Sequence, residues 1–160
     1  MKKALLILDP QIDFFEEDNP NLSAFQATIP VINAAIATFR DQDWPIIFIQ
    51  HTSKRKPEGS DIWKIHPQFN HQPDDFCLSK AHSSAFWQTD LESILKEQQV
   101  ESVIVCGFMS EYCVLSTLRA AMERGFDAVI LEDAIASLDD RYTQFTLEIS
   151  ARIKLEQLEE

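Results

Sequence analysis

Positive charge is scarce in this chain. Lys and Arg number 14 against 26 Asp and Glu, a formal net charge of -12 over 160 residues. Such a chain repels the phosphate backbone that a nucleic-acid binder must neutralise, so nucleic acid is not expected as a partner. Long uninterrupted apolar runs are also missing: none approaches the roughly 18 residues that a membrane span requires, and no membrane association is expected. Met1-Lys2-Lys3 leads straight into Ala4-Leu5-Leu6-Ile7-Leu8, shorter than the core of a secretion signal, which makes a cytoplasmic protein the expectation. Cysteine is sparse and odd in number, three residues at irregular spacing. With Cys77 and Cys106 inside strand-like runs, neither a disulfide framework nor a zinc knuckle fits. No internal repeat is visible. The chain does have material for a core: 45% of it is hydrophobic, too much for disorder, in a length that suits one domain over residues 1–160.

Strand-like and helix-like segments alternate, the pattern of a doubly wound sheet. Strands are expected near 3–9, at Pro45–Gln50, through Phe76–Lys80, at Ser102–Cys106 and at Ala128–Leu131. Ile32, Ala35, Ile36 and Phe39 recur at helical spacing, with Pro30 better placed in an opening turn than in a helix middle. Thr89 and Glu92 have the spacing of a capping box for a helix reaching about Gln98. A helix opening near Glu111 should bury Val114, Leu115, Leu118, Ala121 and Met122 and stop at Gly125. From Asp139 onward a charged helix is expected, with Phe145, Ile149, Ile153 and Leu158 as its apolar stripe, packed on the sheet or on a second subunit. Between His51 and Asp75 the sequence turns to Lys, Pro, His and Gln without periodicity. Loops of that length are usually functional, and this one is expected to form a wall of the binding pocket.

Three segments end in a reactive side chain: Leu5-Leu6-Ile7-Leu8-Asp9, Phe76-Cys77-Leu78-Ser79-Lys80, and Val103-Ile104-Val105-Cys106-Gly107 running on to Cys113. In open parallel sheets ligands bind beyond the carboxyl ends of the strands, so Asp9, Lys80 and Cys113 are expected to share one crevice. A carboxylate, an ammonium and a thiol are the equipment of nucleophilic acyl transfer. Cys113 at a helix start would have its pKa drawn from about 8.5 toward neutrality by the unpaired backbone N–H groups. Asp13, in the turn after Asp9, reads as a turn or packing carboxylate.

The same residues carry a family resemblance. Ile7-Leu8-Asp9-Pro10-Gln11-Ile12-Asp13-Phe14, Lys80-Ala81-His82-Ser83-Ser84-Ala85-Phe86, and Gly107 followed after five residues by Cys113-Val114, with Thr117 and Ala120-Ala121 beyond, stand in order and at the right spacing. In these signatures the chain resembles the isochorismatase-like cysteine hydrolases, the group that includes nicotinamidases. The resemblance implies a three-layer α/β/α domain with a mostly parallel sheet, a catalytic triad of Asp9, Lys80 and Cys113, and an oxyanion hole made by the backbone N–H groups of Met109 and Cys113. It also implies a cis peptide bond before Met109 and a homo-oligomer, dimer or higher. The chain ends sooner than the family pattern leads one to expect, as if a last short strand were missing.

Nicotinamidases resemble one another in an Asp-x-His after the second strand and a later His, ligands for a divalent metal. Here Gln50-His51-Thr52-Ser53 occupies the first position, so His51 and Ser53 replace the Asp and His, and His66 alone falls where the later ligand stands. Two histidines without a carboxylate make a poor metal site, so neither metal nor cofactor is expected. Phe14, Trp63 and Tyr112 are the candidate walls for a flat or apolar substrate. The reading is a metal-independent cysteine hydrolase of a small amide. Alternatives are a vinyl ether hydrolase of the isochorismate type, which needs no nucleophile, and a catalytically silent oligomeric binding protein. A phosphoacceptor signalling domain is disfavoured because no Asp closes the Pro45–Gln50 strand.

Overall fold

The computed structural model describes residues 1–160. Its sheet holds six parallel strands: β1 (Lys3–Leu8), β2 (Ile46–His51), β3 (Phe76–Lys80), β4 (Ser102–Phe108), β5 (Asp127–Ala136) and β6 (Arg152–Ile153), in the spatial order β3-β2-β1-β4-β5-β6. Four helices accompany them: α1 (Leu22–Asp41), α2 (Leu91–Glu97), α3 (Leu115–Glu123) and α4 (Asp140–Glu148).

Side chains alternate across a strand, and β1 shows how that builds three layers. Leu5 and Ile7 enter a core with Phe25, Ile32, Ile36 and Phe39 of α1. Ala4, Leu6 and Leu8 enter the opposite core with Leu91 and Leu95 of α2 and Leu118 and Ala121 of α3. Each large apolar side chain so buried stabilises by roughly 1.5–3 kcal/mol, and a strand buried on both faces reads as an unbroken apolar run. Strand order reverses between β1 and β4, so the crevice lies past their carboxyl ends. There β4 closes tightly on β1: a Cβ on Gly107 would lie 2.1 Å from the Leu8 carbonyl oxygen, and Gly107 has φ +103°. Only glycine allows that approach, one residue from Asp9.

Several elements differ from the sequence expectation for identifiable reasons. Helix α1 starts at Leu22, which places Pro30 in its interior. Pro30 is exposed, so the carbonyl that it leaves unbonded faces water. By length and mean hydropathy α1 is able to cross a bilayer, which counting uninterrupted apolar runs did not reveal; its apolar side, however, is applied to the sheet. No capping box forms at α2. Thr89 Oγ1 accepts from Leu91 N–H at 3.3 Å, but the Glu92 carboxylate is drawn to Lys96 and Arg124. Met122 lies outside the buried face of α3, 49% exposed. The tail is not one helix: α4 ends at Glu148, and β6 follows as the last strand that the sequence seemed to lack. Ile153 borders the core and Leu158 is fully buried in it, whereas Phe145 and Ile149 are exposed.

Candidate active site

Asp9 follows β1 in a left-handed conformation, φ +52°, with its N–H donating to Ile49 C=O at 2.8 Å. That turn lifts the carboxylate over the end of the sheet, and Asp tolerates it better than most residues. Lys80 is the last residue of β3. Cys113 lies in a π-helical turn, Ser110–Val114, between β4 and α3, where Val114 N–H reaches back to Met109 C=O at 3.2 Å. The three residues from three segments meet. Lys80 Nζ lies 3.1 Å from Cys113 Sγ and 3.4 Å from Asp9 Oδ1, and the Lys80 and Asp9 side chains are 0% and 3% exposed.

Two other atoms complete the surroundings of the ammonium: His82 C=O at 2.9 Å and His51 Nδ1 at 3.0 Å. Thr117 Oγ1 accepts from Ala85 N–H at 3.0 Å, tying the segment after Lys80 to α3. Ser110 and Thr143 hydroxyls, 2.8 Å apart, tie the π turn to α4. The Phe108–Met109 peptide bond is cis. Met109 N–H, just past β4, has no hydrogen-bond partner within the protein.

Burial pushes the Cys113 thiol up to about 12, reinforced by the Asp9 carboxylate and opposed by Lys80. This reverses the expectation of a thiol drawn toward neutrality at a helix start. A sulfur in a residue 8% exposed loses more hydration as an anion than one ammonium and a π turn return. The resting site therefore holds a neutral thiol beside a Lys80–Asp9 ion pair. Cys106 and Cys77 are also shifted upward, chiefly by burial, and neither has a Lys or Arg beside it; Cys77 Sγ lies 3.3 Å from His71 Nε2.

Asp9, His51 and Cys113 are the one group of three metal-type donors, their ligand atoms within 4.8 Å of one another. A metal does not fit there, because Lys80 Nζ already contacts all three and its charge repels a second cation. His66 is not part of the group; its ring packs on Phe15 at 4.5 Å.

Of the expected substrate walls, Phe14 is half-buried, stacked on Phe25 at 5.5 Å and tilted against Phe108 at 5.6 Å, with Lys56 Nζ 5.0 Å from its ring. Trp63 Nε1 donates to Thr52 Oγ1 at 3.1 Å. Tyr112, next to Cys113, is 56% exposed. The loop after β2 contributes His51, Ser53, Arg55, Lys56 and Ile62 to a cleft of about 440 Å³, opposite Asp13, Glu16 and Asp18; of the residues around Lys80 only His51 lines it, and Phe14, Trp63 and Tyr112 do not.

Sequence reasoning missed two residues that hold this loop. Gln11 is wholly buried; its amide donates to His51 C=O at 3.0 Å and Trp63 C=O at 2.8 Å and accepts from His51 N–H at 2.8 Å. Its place two residues after Asp9 in the first signature was the available signal. Lys56, 6% exposed, pairs with Asp13 at 2.9 Å, and nothing in its sequence surroundings distinguishes it from a surface lysine.

Comparison with known proteins gives one consistent picture. The pattern of the family described as Isochorismatase domain matches residues 3–153. The uncharacterized isochorismatase family protein YaaI of Bacillus subtilis is 32% identical over 161 aligned positions, covering 91% of this chain and 86% of that protein. An isochorismatase-like hydrolase from Alkaliphilus metalliredigens superposes with a TM-score of 0.89 at 25% identity, over 98% of this chain and 96% of that one. The pyrazinamidase of Pyrococcus horikoshii, solved in complex with zinc, superposes with a TM-score of 0.82 at 25% identity, over 92% and 93% of the two chains.

Proposed function

The chain belongs to the isochorismatase family of hydrolases, and from that premise we propose that it is a metal-independent, cysteine-dependent amidohydrolase acting on a small amide. The observation that carries this reading is the buried ammonium of Lys80, within 3.1 Å of a thiol and 3.4 Å of a carboxylate. A zinc-bound pyrazinamidase among the related folds supports amide chemistry, while the ammonium standing where three donors converge supports its running here without a metal.

The steps follow from the charges. As the C–S bond forms, the Cys113 proton passes to Asp9, so no free thiolate need persist in a site that disfavours one. The negative charge that develops on the substrate carbonyl oxygen is taken by the backbone N–H groups of Met109 and Cys113. Lys80 stays protonated and offsets whichever anion is present, carboxylate or thiolate. The tetrahedral adduct collapses with cleavage of the C–N bond, Asp9 returning its proton to the departing nitrogen. Water then attacks the thioester, Asp9 takes one of its protons, and C–S cleavage restores the thiol and the free acid. Phe14, Trp63 and Tyr112 contribute the apolar surroundings of the acyl group.

A panel of small amides scored for ammonia or amine release tests this reading. Turnover by the wild type and none by Cys113→Ala is expected. A panel with no turnover, or equal turnover by both proteins, contradicts it.

A further inference from the structure

His51 touches Lys80 through an atom that the reaction steps above do not use. An ammonium has three protons to give and accepts none, so His51 Nδ1, 3.0 Å from Lys80 Nζ, is the acceptor. The imidazole proton then resides on Nε2. The other two close acceptors of Lys80 are His82 C=O and Cys113 Sγ. Three protons thus meet three acceptors, and Asp9 Oδ1 is left with an ion pair at 3.4 Å and no hydrogen bond.

The far edge of the ring is free. His51 Nε2 has no hydrogen-bond partner in the protein, is not sealed from solvent, and belongs to a residue lining the cleft of about 440 Å³. Burial and Lys80 lower the pKa of the ring, opposed by Asp9 and, more weakly, Asp13, with Lys56 adding to the lowering. The ring is therefore neutral at neutral pH, as both hydrogen-bonding roles require.

We propose that His51 works in both directions. Its Nδ1 claims one proton of Lys80 and so aims another at the Cys113 sulfur rather than at Asp9, which keeps the carboxylate free to act as a base. Its Nε2–H is the donor that fixes the substrate, which makes the substrate an amide carrying a second acceptor, such as a carbonyl, carboxylate or ring nitrogen, away from the scissile group. The substrate half rests on the amidohydrolase reading above; the Lys80 half does not. A half-buried donor left unpaired discriminates against an analogue lacking its acceptor.

Two substitutions separate the roles. In His51→Asn an amide oxygen stands near the Nδ1 position but nothing reaches the cleft; in His51→Gln an amide N–H reaches the Nε2 position but Lys80 loses its acceptor. Gln11 holds the His51 backbone irrespective of its side chain, so both proteins are expected to fold. Iodoacetamide alkylation of Cys113, which needs no substrate, is measured across pH 7–10 along with kcat and KM for matched amides with and without the second acceptor. His51→Asn should alkylate within about twofold of the wild type but raise KM about tenfold for acceptor-bearing amides alone. His51→Gln should keep that preference while its alkylation profile moves and its kcat falls by about tenfold. An unmoved alkylation profile in His51→Gln overturns the Lys80 half, whatever the substrate proves to be. Undiminished preference in His51→Asn overturns the substrate half.

Discussion

Replacing Lys80 by Met is the most informative perturbation of the site, because size and burial are nearly kept while the charge is lost. The ammonium has contacts at 2.9, 3.0, 3.1 and 3.4 Å with His82 C=O, His51 Nδ1, Cys113 Sγ and Asp9 Oδ1. In Lys80→Met the Asp9 carboxylate, its side chain 3% exposed, is stranded in an apolar pocket. Removing one partner of a buried ion pair typically costs about 3–5 kcal/mol. For a domain of this size 1 kcal/mol moves Tm by about 2–4 °C, so a fall of roughly 6–20 °C is expected at pH 7. The sign with pH is also determined. Acid that neutralises the stranded carboxylate removes the penalty, so the deficit against the wild type should shrink as pH falls toward about 4. Calorimetry of both proteins from pH 4 to 8, with amide hydrolysis in parallel, is the assay. A Tm within 2 °C of wild type at pH 7, or a deficit that grows in acid, would refute the reasoning that Lys80 and Asp9 form one electrostatic unit.

The remaining expectations concern single groups. Asp9→Asn loses the charge partner of the buried Lys80 ammonium and should be less stable than the wild type, but the folded protein should show kcat/KM lowered by about 10²–10⁴-fold for want of a proton carrier; steady-state kinetics near the wild-type value would remove Asp9 from the mechanism. Gln11→Ala strands His51 N–H and His51 C=O, while Trp63 C=O keeps the Gln50 amide at 3.2 Å, and should cost about 2 kcal/mol in urea unfolding; a cost under 1 kcal/mol would show that the loop after β2 is held by other means. Because burial raises the folded Cys113 thiol to about 12, the unfolded chain loses that proton first as pH rises. The stability tied to it is complete below about 8.5 and lost progressively up to about 12, so by pH 10 the wild type should lose up to about 2 kcal/mol more than Cys113→Ser; parallel losses in urea titrations would argue for a low thiol pKa. Hydrolysis should survive exhaustive chelation, and activity restored only by returning a divalent metal would contradict the place given to the Lys80 ammonium.

The sequence was most legible in the strands. β1 and β2, with a core on both sides, were read to within one residue as short apolar runs with polar ends, and the edge strand Phe76–Lys80, half-buried and exposed by turns, was read to the residue. Asp9, Lys80 and Cys113 were legible as strand-end residues, and the family signatures fixed their spacing. Boundaries depending on competing partners were not: Glu92 fits a capping box equally well until Arg124, 32 residues away, claims it. Pro30 was misplaced because its cost depends on whether the carbonyl that it strands meets water. The α4 tail was read as one long helix because its apolar residues keep helical spacing; β6 pairing with β5 overrode that local preference. The direction of the Cys113 shift was inverted because local reasoning saw the helix start and not the depth of burial. Lys56 and Gln11 act across 43 and 40 residues of chain, and separations like these leave no trace in a local pattern.

The central claim is that Cys113 forms a covalent acyl intermediate, and the most direct test is the intact mass of the enzyme quenched in acid during turnover of a cleaved amide. The mass should rise by that of the acyl group less one hydrogen, the adduct should map to the peptide bearing Cys113, and hydroxylamine should release it as a thioester. An adduct on Cys77 or Cys106, or hydrolysis that persists in Cys113→Ala with no adduct at any quench time, would contradict the account.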